Sequence, residues 1–257
     1  YEHYALFGGL PGVLRYSEPE DKVGYLQNLF TEIYFKDIIE RYKITLPDVL
    51  EQITDELCTS IGSQTNANRL ANALSSARGT KVNSNTVSSY LGYLCDSFLF
   101  NCAKRYDVKG KKYFSYPSKY YCADLGLRNA RLNFRQQEES HIMENIIFNN
   151  LISRGFAVDV GVVSVHGKQD DQKMRQSNLE IDFIINKGMK KYYIQSALRM
   201  DTPDARQREE RPFFELDDFF RKIIITKTRM KPWVNEKGVI TIGLMDFLLD
   251  ESALDAL

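Results

Sequence analysis

The chain has 257 residues, 43% hydrophobic and 26% charged, which is the composition of one large globular domain or two of ordinary size. Thirty-four basic residues balance thirty-four acidic ones, so overall charge points to no polyanion partner and any nucleic-acid site must come from local clustering. The four cysteines form no C-x-x-C pair, the three histidines are widely scattered, and no apolar run approaches the ~18 residues of a membrane span; these features exclude a zinc-finger layout, suit a reduced, cytoplasmic protein and predict no membrane contact.

Residues 1–45 read as a helical lead. The sequence starts at Tyr1, without a signal peptide and already inside structured-looking sequence, which suggests a piece of a longer protein. Gly8-Gly9-Leu10-Pro11-Gly12 predicts a turn that fixes the first helix; no helix start follows directly, so it is not expected to cradle a phosphate. From Pro19 to Tyr42, Leu26, Leu29, Phe30, Ile33 and Ile38 recur at helical spacing. Residues 46–130 predict helices over Pro47–Ile61, around Leu70–Leu74 to Gly79, and over Thr86–Asp96 behind the capping run Asn83-Ser84-Asn85. A hairpin, Phe98–Cys102 and Tyr113–Tyr116 about a polar turn, completes the order of a winged helix. Residues 131–257 predict a helix over Glu138–Arg154 and then strands Phe156–Val165, Glu180–Ile185 and Lys191–Ala197. A polar, flexible stretch, Gly167–Asn178, separates the first two strands. A helix near Pro203–Phe214, strands Lys222–Thr226 and Gly238–Ile242, and a terminal helix complete an α/β domain with a mixed sheet.

Chemistry concentrates in that last part. Alternate residues of a strand share a face, so Glu180 and Asp182 project together, as do Gln195 and Ala197 on the next strand. Apolar strands rarely bury a carboxylate without a reason, because an unpaired buried charge is costly. Glu144, aligned with Ile147 and Leu151 on the apolar stripe of its helix, could complete an oxygen shell for magnesium, which would activate a water for phosphodiester attack. The plain alternative is a salt-bridged helix over an edge strand.

The order Glu on a helix, Glu180-Ile181-Asp182-Phe183, then Ile194-Gln195 resembles the PD-(D/E)XK restriction-endonuclease-like core. More broadly, the chain resembles the C-terminal part of bacterial and archaeal AAA-type ATP-binding proteins, whose P-loop domain comes first. The stretches that carry this resemblance include Gly8-Gly9-Leu10-Pro11, Asp37–Tyr42, Val87–Leu91, Tyr120–Asn129, Glu144-Asn145, Glu180–Ile184 and Lys237-Gly238-Val239. The resemblance implies metal ligands at Glu144, Asp182 and Gln195 and a catalytic lysine at position 197. This sequence has Ala197 there, and Gln195 offers a neutral oxygen in place of a carboxylate. Arg199 stays protonated and cannot replace a base. The expectation is therefore a catalytically inactive, regulatory domain acting with an ATPase domain in cis. ATP would be bound only by that missing N-terminal domain, and no cofactor other than magnesium is implied in this region. A magnesium-dependent DNA nuclease is the alternative, and a protein-interaction or homo-oligomerisation module is the third reading.

Between Phe98 and Arg131, Lys104, Arg105, Lys109, Lys111, Lys112, Lys119, Arg128 and Arg131 face only Asp107 and Asp124, with five tyrosines interleaved. A recognition helix presenting Asn85 and Ser88 could enter a groove of double-stranded DNA while Lys104, Arg105, Lys109, Lys111 and Lys112 contact phosphates. The same helix lacks arginine, the commonest reader of guanine. Gly161–Gln169 looks faintly like a P-loop, but the glycine spacing is one residue too long and Gln169 stands where Ser or Thr must touch magnesium, so no ATP site is expected there.

Overall fold

In the computed structural model, residues 1–115, 117–135, 138–168 and 174–255 are described, without the side chains of 33, 166–168 and 174–176. The chain divides into two compact units, residues 1–102 with 116–146, and residues 103–115 with 147–257.

The first unit opens with α1 (Glu2–Phe7), a 3-10 turn (Pro11–Arg15) and α2 (Pro19–Asn28). The helical run predicted from Pro19 continues through a π-helical stretch, Leu29–Phe35, into α3 (Lys36–Arg41). Next come α4 (Pro47–Thr59), which has proline in its first turn, and β1 (Gln64–Thr65). In α5 (Ala67–Arg78), the Asn66 side chain caps the Arg69 amide at 2.7 Å and left-handed Gly79 closes the helix. α6 (Ser84–Asp96) is capped by Asn83 on the Asn85 amide at 2.9 Å. It buries Val87, Tyr90, Leu91 and Leu94 against a core that includes Val49, Leu50, Ile53 and Leu57.

β2 (Phe100–Ala103) then enters a small sheet, but its hydrogen-bonded neighbour is not the Tyr113 region. The chain instead runs through β3 (Arg105–Asp107) and β4 (Lys112–Tyr113), which join the sheet of the second unit, and returns as β5 (Ser118–Cys122) between β1 and β2. Helix, strand, two helices and two strands in the sheet order β1-β5-β2 is winged-helix connectivity. The predicted hairpin therefore needs correction: the wing segment is itself a piece of another sheet. Residue 116, its expected last position, lies outside the described residues. The reason is register: Arg105, Tyr106 and Asp107 pair in parallel with Val160, Gly161 and Val162, so their backbone groups are satisfied by the second unit. α7 (Leu125–Arg131) and the first half of α8 (Glu139–Ser153) complete the first unit.

In the second unit α8 leads into β6 (Ala157–Lys168), β7 (Met174–Lys187) and β8 (Lys190–Ala197), an antiparallel meander. α9 (Pro203–Phe214), capped by Thr202 on the Ala205 amide, returns the chain to β9 (Arg221–Thr226), parallel to β8. β10 (Trp233–Val234), β11 (Val239–Gly243) and α10 (Leu244–Leu249) finish it. Among the described residues the mixed sheet runs β10-β11-β9-β8-β7-β6-β3-β4. Helix, meander, helix and parallel strand follow the predicted order, but β6 and β7 are longer than predicted. Ser164–Lys168 pair with Met174–Asn178, so Gly167-Lys168 and Met174–Asn178 are strand where a flexible stretch was expected, and 169–173 lie outside the described residues. Both end strands, β4 and β10, are two residues long.

Candidate functional site

Asp182 and Gln195 come together where the β7–β8 ladder stops. Backbone pairing runs from Lys187 opposite Lys190 to Phe183 opposite Ile194. One residue further on, side chains take over. The Asp182 amide donates to Gln195 Oε1 at 3.3 Å, and the Ser196 amide donates to Asp182 Oδ2 at 2.8 Å. Gln195 Nε2 in turn donates to Glu209 Oε2 at 3.2 Å, on α9, and Arg208 Nε donates to Glu209 Oε1 at 3.1 Å. The amide orientation is fixed by its surroundings, because reversing it would set N–H against N–H and oxygen against carboxylate. Asp182 is buried, and its carboxylate thus serves the backbone of the neighbouring strand.

Ala197 shares the Gln195 face, as expected, but it packs among apolar neighbours. It belongs to a buried cluster with Ile181, Ile184, Tyr193, Met200, Phe213 and Ile224. A lysine at this position would have to carry its ammonium out of that cluster. Arg199 is exposed.

Glu144 lies in the first unit, on α8, and is buried there. Its Oε1 accepts from Lys119 Nζ at 3.0 Å and from Tyr121 Oη at 2.6 Å, both from β5. Beside it, Asn145 clamps the backbone of Cys122, accepting from its amide at 2.9 Å and donating to its carbonyl at 2.8 Å. The pair Glu144-Asn145 therefore fastens α8 to β5. Magnesium requires an oxygen shell with several waters. The N–H donor of Gln195 is aimed at Glu209, a repulsive neighbour for a cation there, the Asp182 carboxylate accepts from the Ser196 amide, and Glu144 already answers an ammonium. The residues present do not fit a divalent cation.

The basic cluster is divided between the two units. Lys119 and Arg128 are buried, the latter donating to the Cys58 carbonyl at 2.8 Å. Arg131 holds Asp55 through two nitrogens. Lys104, Arg105, Lys109, Lys111 and Lys112 all belong to the second unit. Lys109 lies 3.8 Å from Glu215 and Arg105 sits over the Phe114 ring. Burial raises the Asp159 carboxyl above its ordinary value, against the hydrogen bond from Tyr113 and the charge of Lys104. What remains in the first unit is the helix-turn-helix surface. Asn85, Ser88 and Ser89 are exposed on the N-terminal half of α6, as are Asn68, Arg69 and Lys81 nearby. A polar cleft lined by Asn66, Asn68, Ser84, Asn85 and Ser88 runs between the starts of α5 and α6.

The Gly8-Gly9 turn does hold an anion, but it is the chain's own. Asp124 Oδ2 accepts from the Gly9 amide at 2.8 Å while Oδ1 caps α7 on the Leu127 amide at 3.1 Å. A Cβ at Gly8, where φ is +74°, would stand 2.1 Å from Asp124 Oδ1. Asn129 Nδ2 donates to the Ala5 and Leu6 carbonyls at the end of α1. The motif Asp124–Asn129 thus ties α1, α4 and the glycine turn together.

That tied region lies inside a match to a known family. Residues 1–138 match the family described as a domain of unknown function, DUF8612. The chain belongs to this family. It is 31% identical over 249 residues to an uncharacterized protein of Haemophilus influenzae, covering 97% of this chain and 58% of that one. It is 27% identical over 179 residues to an uncharacterized protein of Methanocaldococcus jannaschii, covering 70% of this chain and 37% of that one. The chain therefore spans little more than half, and little more than a third, of these relatives. The crystal structure of protein VC1899 from Vibrio cholerae aligns over 78% of this chain and 53% of its own, with 11% identity and a TM-score of 0.29, a likeness that carries no argument.

The matched span contains the whole winged-helix connectivity and the Asp124 network, and it ends before Glu144, Asp182 and Gln195. Sequence reasoning missed Glu209, Lys119 and Tyr121. Glu209 sits in an Arg/Glu-rich helix where nothing local sets it apart, and Lys119 reads as one more surface base until β5 is seen to be buried along its length. Among the described residues no helix is long and apolar enough to cross a membrane, and none of the four cysteines is in a disulfide.

Proposed function

We propose that this chain is a non-hydrolytic binding region whose winged-helix unit contacts duplex DNA through the N-terminal half of α6. One observation carries the reading. α6 buries Val87, Tyr90, Leu91 and Leu94 and turns Asn85, Ser88 and Ser89 outward, beside the polar cleft at the start of α5. Asparagine and serine suit hydrogen bonding to base edges and phosphates, while Arg69 and Lys81 add local charge. The absence of hydrolysis is supported by Ala197, which supplies no proton-transfer group where the resemblance to PD-(D/E)XK nucleases would require a lysine. The resemblance to AAA-type proteins supports coupling to an ATP-binding domain of the same polypeptide.

The test is fluorescence anisotropy with a labelled duplex. Binding should weaken steeply as salt rises, because phosphate contacts release counterions. Asn85→Asp with Ser88→Asp should abolish it, by placing two negative charges toward the phosphates, whereas Lys111→Ala with Lys112→Ala should leave it within about twofold. Binding that survives the α6 changes, or no binding at low salt, would sink the proposal. Plasmid nicking in magnesium or manganese that Asp182→Ala removes would establish a nuclease in its place.

A further inference from the structure

We infer that Gln195 is an amide clasp between the Asp182 backbone amide and the Glu209 carboxylate, standing where a nuclease-like site would hold a cation, so that this end of the β7–β8 ladder is stable without any divalent ion. The inference deepens the non-hydrolytic reading. Its test involves no DNA, so either can fail without the other.

The argument starts from an electrostatic problem. Asp182 and Glu209 are both largely withdrawn from water, the first buried and the second with a side chain 14% exposed. Carboxylates so withdrawn need positive charge or N–H donors to be tolerated. A cation is one solution. This chain uses its own groups: Ser196 N–H donates to Asp182, Gln195 Nε2 donates to Glu209, and the Arg208 guanidinium adds its charge to Glu209. Gln195 has a second function. Its oxygen accepts the Asp182 amide, which the β7–β8 ladder no longer serves. A single side chain therefore presents an acceptor to a backbone N–H and a donor to a carboxylate. Glutamate at 195 could do the first and not the second.

The exchange of acceptor and donor makes a sharp experiment. In chelator, Gln195→Glu should lower the melting temperature by about 3 °C or more, since two carboxylates then oppose each other without a donor between them. Adding Glu209→Gln should restore most of that loss. The amide nitrogen introduced on α9 can donate to the carboxylate introduced on β8, whose other oxygen still accepts from the Asp182 amide. Millimolar manganese should recover the melting temperature of the Gln195→Glu protein and leave the wild type unmoved. If the single variant does not fold, the double variant decides, for the clasp requires that it fold. An unchanged melting temperature for Gln195→Glu in chelator would overturn the inference. So would a manganese-induced rise in the wild type that Asp182→Asn removes.

Discussion

Removing the ammonium of Lys119 tests whether Glu144 is a structural anion. Both side chains are nearly out of water, with 5% and 12% of their surfaces exposed, and are joined at 3.0 Å. In Lys119→Met the apolar chain still fills the space, but the Glu144 carboxylate stays buried with its ammonium gone. The Tyr121 hydroxyl, at 2.6 Å, still donates to it and offsets part of the loss. Breaking a buried pair from one side costs about 3–5 kcal/mol, because it leaves an uncompensated charge. At roughly 2–4 °C per kcal/mol for a protein of this size, the melting temperature should fall by about 10 °C. The assay is thermal unfolding followed by circular dichroism, with Lys119→Met/Glu144→Gln as partner variant. The neutral amide still accepts from Tyr121 and needs no ammonium, so the double variant should recover more than half of the loss. Equal melting temperatures for the single and double variants would refute the reasoning, since the damage would then lie in lost lysine packing and not in a stranded charge.

Other outcomes follow from the same geometry. Phe98 is 79% exposed yet holds φ +57° at the end of α6, where its amide bonds Cys95 and the next amide bonds Leu94, a Schellman ending that favours glycine. Phe98→Gly should raise stability by up to about 1 kcal/mol in urea unfolding, and a loss would mean that the ring makes a contact of value. Gly8→Ala should cost about 2–4 kcal/mol, combining a left-handed φ with collision on Asp124, whereas Gly24→Ala, inside α2 and facing open space, should gain about 0.5–1 kcal/mol. Burial raises the Asp124 carboxyl above its ordinary 3.8, against the N–H groups of Gly9, Leu127, Gly126 and Leu10. The folded state then holds more protons between those two values, so the contribution of Asp124 is full below 3.8 and is lost as pH rises through the folded value. Asp124→Asn, compared with wild type by urea unfolding, should therefore cost more near pH 4 than at pH 7; equal costs would refute the shift.

The sequence alone determined most of the longer elements and their order, but not the strands and short helix between residues 103 and 131. Helical spacing of Leu26 with Ile38 and of Val87 with Leu94, the asparagine caps at 66 and 83, and the apolar strands around Asp182 and Gln195 are local signals. Each depends on neighbours within a few residues, which is why the α9 boundaries, Pro203–Phe214, were legible before any fold. The shared faces of Glu180 with Asp182 and of Gln195 with Ala197 were legible for the same reason, since periodicity within one strand needs no tertiary information. What answers those side chains was not. Glu209 reaches Gln195 from a separate helix, and Lys119 and Tyr121 reach Glu144 from a strand more than twenty residues earlier. Whether a carboxylate binds a cation, caps a strand or pairs with a lysine depends on which donors lie about 3 Å away, and chain folding alone sets that distance. The basic run 104–112 illustrates the same limit. Its charge was plain in the sequence, but only strand pairing with Val160–Val162 decided that it would be the margin of a second sheet and not the wing of the first unit.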